Sequence, residues 1–117
     1  MLLLAAGSLA MAGCAGPAPK VEVGQAEFAL FHAERAGASQ GAPLVFRDAS
    51  NSLEDAKSLM RKKKHEEARR AAEEAKAKAQ QAEAMTEAKN WDQATKALRD
   101  TQQTLEIELD ASAGAGG

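Results

Sequence analysis

The chain opens on an unbroken apolar run, Met1 to Gly13, which carries no charge and ends in small residues before Cys14. After a short Pro/Gly stretch the pattern becomes helical. Ala26, Ala29 or Leu30, Ala33 and Ala36 or Gly37 recur at steps of three and four, which predicts an α-helix over about residues 23–37 with a small-residue face. Phe28 and Phe31 flank that stripe. Gly37-Ala38-Ser39-Gln40-Gly41-Ala42 reads as a loop, and Pro43 suits the first turn of a second helix, over about 43–62. On this helix Leu44 or Val45, Ala49, Ser52 or Leu53, Ala56 and Leu59 or Met60 share one face, and the other face is charged.

From Leu44 to Ser112 there is neither glycine nor proline. A single helix from Leu44 to Leu109 would be about 100 Å long at a rise of about 1.5 Å per residue, so a break is expected. The best site is Lys62-Lys63-Lys64-His65, where like charges repel and the apolar stripe pauses between Met60 and Ala68. Beyond it Ala68, Ala72, Ala75, Ala79 and Ala82 alternate steps of four and three, the seam of an Ala-rich antiparallel pair on a third helix over about 65–109. Ala82, Met85, Ala88, Trp91 and Ala94 then follow at steps of three, a phase slip that predicts local overwinding or a break near residue 90. Asn90 with Gln93 has the form of a capping box. Residues 111–117 are expected to form a flexible tail. The expected architecture is all-α, an antiparallel helical hairpin or small helical bundle with long Ala-rich helices within 21–110.

Composition sharpens this picture. The chain is 44% hydrophobic, but 28 of its 117 residues are alanine, and Leu2, Leu3, Leu4 and Leu9 alone supply four of the 18 Leu, Ile, Val and Phe. A large core is excluded, and with no tyrosine and few β-branched residues a sheet is disfavoured. A net charge of -2 removes the expectation of nucleic-acid binding.

The single cysteine gives the chain an address. Met1 to Gly13 is too short to span a bilayer as a helix and reads as the apolar part of a secretory signal, residues 1–13. Leu9-Ala10-Met11-Ala12-Gly13-Cys14 resembles the lipobox of bacterial lipoproteins, with cleavage between Gly13 and Cys14 and acylation of the Cys14 thiol. Met11 stands where leucine is most usual, and no Lys or Arg precedes the run, as expected if Met1 is an internal methionine. Two or three acyl chains, at about 0.8 kcal/mol per buried methylene, make a stable anchor. Residues 14–20 form the lipidated cysteine and a Pro/Gly tether. Ala15 occupies the position where many Gram-negative inner-membrane lipoproteins carry Asp, which implies outer-membrane sorting, facing the periplasm. With one cysteine there is no structural disulfide.

The helical part resembles a family, the alanine-rich bacterial envelope domain of unknown function 4398. The resemblance lies in Arg35-Ala36-Gly37-Ala38, Ala42-Pro43-Leu44, Ala49, Leu53 and Ala56, followed by Glu66-Glu67-Ala68-Arg69-Arg70 and Ala71-Ala72-Glu73-Glu74-Ala75, across roughly residues 23–85. The chain departs from it at Gly41, where the family favours an aromatic, and at Lys63 to His65, where it favours a Gly-Asp-Tyr type turn. The resemblance implies an envelope lipoprotein, in a family sometimes joined to peptidoglycan-binding domains, and brings no established activity or catalytic residues.

Candidate chemistry is sparse. His32 and His65 lack a second ligand at metal-binding spacing, and Glu27 and Glu34 near His32 make only a weak cluster. Ser39, Ser50, Ser52 and Ser58 have no nucleophile-elbow glycines, and no phosphate-binding glycine loop occurs. No enzyme activity, metal or cofactor is expected. Arg61, Lys62, Lys63 and Lys64 with Arg69 and Arg70 form the one charge concentration and a candidate anion-binding site, weighed against a plain solvated turn balanced by Glu66, Glu67, Glu73 and Glu74. Trp91 reads first as a core plug or helix staple; exposed, it would mark a protein contact. The expected function is a lipid-anchored scaffold or protein-binding module that meets the membrane through acyl chains on Cys14 and grips envelope proteins or another copy. The alternative is a carrier of a small or lipidic ligand between helices.

Overall fold

The computed structural model describes residues 16–116. The signal run, its cleavage point at Gly13 and the candidate lipidation residue Cys14 lie outside the described residues. The described chain forms four helices: α1 (Lys20–Arg35), α2 (Ala38–Gly41), α3 (Pro43–Arg61) and α4 (His65–Ala115). α1 and α4 run in the same direction, since the Gly16 carbonyl meets His65 and Gln25 meets Lys76 further along. α3 runs opposite to both, with Gly41 beside Lys89 at its start and Ser52 beside Lys78 midway. The result is a three-helix bundle with α2 as a one-turn link at its top and the α3–α4 turn at its base.

Local chemistry sets the joints. α1 ends at Gly37, whose φ of 85° is reached without strain only by glycine. The Gly37 N–H caps the Glu34 carbonyl. Pro43 stands at the first position of α3, where a missing N–H costs nothing. At the base, the Lys63 N–H bonds to the Met60 carbonyl and the Lys64 N–H to the Leu59 carbonyl. That is the double closure of a Schellman motif, with Lys63 at φ 59° in the place usually given to glycine.

Alanine fills the interior. Ala26, Ala33, Ala49, Ala56, Ala72, Ala75 and Ala79 are completely inaccessible, and among the described residues no large side chain is fully buried. Close approach of the backbones through these methyls substitutes for bulk: each methyl-sized group removed from water is worth about 0.8 kcal/mol. The seam read from the sequence, Ala68, Ala72, Ala75, Ala79 and Ala82, is buried throughout.

Three boundaries differ from expectation. α1 begins three residues earlier than the expected 23, so Lys20 belongs to the helix and not to the tether. α4 runs without interruption through Asn90. The reason is that the inward seam continues from Ala82 to Thr86 by a step of four, while Met85, Ala88 and Trp91 lie off it, so the inward face carries no phase slip. Asn90 and Gln93 are interior helical residues. The expected tail is helical to Ala115, because Ala111, Ala113 and Ala115 favour helix and Gly116 ends it.

Candidate functional site

Two surfaces at opposite ends of the molecule stand out. The first is the base, where the described chain begins beside the α3–α4 turn: His65 Nδ1 lies 2.6 Å from the Gly16 carbonyl oxygen. An open groove of about 1060 Å³ there is bordered by Lys20, Lys63, Lys64 and His65 together with the acidic Glu22, Glu66 and Glu67.

The structure divides the expected basic cluster in two. Arg69 grips Glu66, with Nη2 to Oε1 at 2.6 Å and Nε to Oε2 at 3.3 Å, and also approaches Glu73 at 3.9 Å. Arg70 Nε stands 3.5 Å from the same Glu66. The Arg69 hydrogen bonds hold the Glu66 carboxyl below its ordinary range, and Glu66 in turn raises Arg69. Arg61, Lys62, Lys63 and Lys64 are different: among the described residues none of them has a carboxylate oxygen within 4.0 Å. Lys64 is the N-cap of α4 and makes no side-chain capping bond.

The second surface is the far half of α4. Every residue from Glu87 to Gly116 is exposed, so the helix leaves the bundle and continues for about 40 Å at a rise of about 1.5 Å per residue. Trp91 is 74% exposed, which overturns its expected use as a core plug. It sits five residues past Thr86, about 140° round the helix from the buried seam at about 100° per residue, and so points away from the bundle. Leu98 and Leu105 follow at steps of seven and Leu109 completes the line, all of them exposed. The expected protein contact was Trp91 alone; the spacing 91–98–105 is the sequence signal that adds Leu98 and Leu105 to it.

Elsewhere the candidate residues serve local structure. His32 stacks edge-on against Phe28, with ring centroids 4.3 Å apart, and lies 6.0 Å from Phe31, rather than pairing with a carboxylate. Glu34 accepts a hydrogen bond from Ser39 Oγ at 3.2 Å. Ser50 Oγ donates to the Phe46 carbonyl. Lys57 ties α3 to α1 through Glu27 at 2.9 Å, and the Glu27 hydrogen bond raises its pKa. Among the described residues no three His, Cys, Asp or Glu side chains gather as a metal site, and no helix is long and apolar enough to cross a membrane.

Comparison with known proteins finds no curated protein and no solved structure that matches. A family model, the domain of unknown function DUF4398, matches residues 21–105. That span takes in α1, α2 and α3 and reaches along α4 well past the bundle, to Leu105 in the exposed stripe. With the Ala-lined bundle and most of the projecting helix inside the match, the chain belongs to the DUF4398 family.

Proposed function

We propose that the protein is a lipid-anchored helical scaffold of the bacterial envelope, held at the periplasmic face of the outer membrane by acyl chains on Cys14, and that it grips other envelope proteins or a second copy with the projecting half of α4. The observation that carries this reading is the exposed stripe Trp91, Leu98, Leu105 and Leu109 on a stretch of helix that, among the described residues, has no other element covering it. A helix of this kind meets partners by laying its apolar line into a groove or against another helix, with the large side chains as anchors. The lipobox-like Leu9 to Cys14 supports the anchor.

A photo-crosslinking residue placed at Leu98 or Leu105 in intact cells tests the grip, and metabolic labelling with palmitate tests the anchor. Discrete adducts from these positions, absent when the probe is moved to Glu83 on the flank of the bundle, are expected. Absence of adducts from the stripe, or of palmitate on a chain with Cys14 intact, refutes the corresponding half of the reading.

A further inference from the structure

Charge is segregated along the molecule. At the base, among the described residues, Lys20, Arg61, Lys62, Lys63 and Lys64 have no carboxylate oxygen within 4.0 Å, while Arg69 and Arg70 share Glu66. At the far end no basic residue follows Arg99, and Asp100, Glu106, Glu108 and Asp110 follow in succession. A chain with a net charge of only -2 therefore has a positive base and a negative tip. The positive end is also where the described chain begins, with Gly16 fastened to His65 beside the turn. Arg61, Lys62 and Lys63 suit the dipole at the C-terminal end of α3, whereas Lys64 opposes the dipole at the start of α4 and makes no side-chain capping bond, so Lys64 does not serve the stability of the turn.

We propose that the turn Arg61–Lys64, with Lys20 beside it, docks on the anionic headgroups of phospholipids, and that the acidic far end keeps α4 directed away from the same surface. The docking deepens the anchor reading and rests on it in one respect, that Cys14, two residues before Gly16, brings the base to a bilayer. Cations near an anionic membrane surface each strengthen binding by about fivefold, equivalent to about 1 kcal/mol, and the effect decays within a Debye length of roughly 10 Å. The four consecutive basic residues are contiguous in the turn, so one surface can engage them together. Soluble phosphate offers no such extended field.

The test uses the full chain carrying Cys14→Ser, which removes acylation, in flotation with vesicles of phosphatidylcholine alone or mixed with phosphatidylglycerol. Binding that requires phosphatidylglycerol, falls on the order of 100-fold in K62Q/K63Q/K64Q, survives in K62R/K63R/K64R and is lost at high salt is expected. Equal flotation with both vesicle types, an unaffected Gln variant, or competition by millimolar glycerol phosphate at constant ionic strength overturns the proposal. Circular dichroism of the Gln variant checks that the helices persist. Palmitate labelling of the unaltered chain in cells is read separately: labelled protein without lipid preference refutes the docking alone, and lipid preference without labelling refutes the anchor alone.

Discussion

Gly41 lies against Thr86 with no room for a methyl group: a Cβ on Gly41 would stand 2.5 Å from both Cγ2 and Oγ1 of Thr86. The pair fixes the top of the bundle, where α2 crosses α4 and Lys89 donates to the Gly41 carbonyl. Thr86 is buried and its hydroxyl donates to the Ala82 carbonyl at 2.8 Å, so it cannot swing aside without leaving that bond. Gly41→Ala is expected to destabilise the bundle by about 1–3 kcal/mol, the usual cost of overpacking. Combining it with Thr86→Ala removes two of the three clashing atoms and recovers part of the loss. Thermal unfolding followed by circular dichroism measures both; strictly additive effects of the two changes would contradict the contact.

The alanine seam makes an opposite demand on each half of α4. Ala79 is completely inaccessible, and Ala79→Leu is expected to cost about 1–3 kcal/mol or to force the helices apart. Ala97→Leu, on the exposed half, is expected to change stability by no more than about 0.5 kcal/mol. Urea denaturation of the two variants compares them directly.

Trp91 reports on the stripe without supporting the bundle. Trp91→Ala leaves the unfolding midpoint of the bundle unchanged, since the ring is exposed. In the isolated protein its fluorescence is expected to be solvent-like and readily quenched by acrylamide. Protection from the quencher when a partner is added identifies the stripe as the contact.

The α4 start carries an unused opportunity for stability. Replacing the uncapped Lys64 by Asp supplies an acceptor for the first free N–H groups and a charge that suits the helix dipole, a gain of about 0.5–2 kcal/mol. The same change weakens flotation with anionic vesicles if the turn docks there. Stability and lipid binding are expected to move in opposite directions in this one variant.

Acid and base act on different joints. Arg69 lowers the Glu66 pKa in the folded chain, so the pair contributes above the ordinary carboxyl value of 4.5 and the contribution is lost as pH falls through the lower folded value. Glu66→Gln is expected to abolish that part of the acid dependence. Lys57 is raised by its hydrogen bond to Glu27, so its contribution is present below 10.5 and is lost as pH rises through the higher folded value. Unfolding measured across both ranges, with Lys57→Gln as the alkaline control, separates the two.

The fold was legible where the physics is periodic. Steps of three and four placed the Ala68–Ala82 seam because a helix presents those positions to one side, and four consecutive charged or basic residues marked the turn. The continuity through Asn90 is not legible in the sequence because Met85, Ala88 and Trp91 on the outward side mimic a continuation of the inward seam, and a capping-box pattern has no meaning where the backbone ladder continues. The candidate surfaces were only partly legible. Residue type singled out the lone Trp91 and the concentration of charge singled out the lysines, but whether a tryptophan is covered depends on where α2 and α3 end in space. The division between paired Arg69 and Arg70 and unpaired Lys62 to Lys64 likewise needs side-chain geometry, since Glu66 is as close in sequence to one group as to the other.

α4 is one continuous helix but two thermodynamic units. Its first half shares the cooperativity of the bundle, while beyond Lys89, the last residue seen to bond to another helix, each turn is held among the described residues by its own backbone bonds and side-chain neighbours. Unfolding of the whole chain is therefore not a two-state process: the far half frays first and its amides exchange with solvent while those of Ala72 to Ala82 remain protected. A partner seated on the stripe would extend the cooperative unit to the end of the helix, so binding would register as slowed hydrogen exchange between Glu87 and Ala115 before any change in shape.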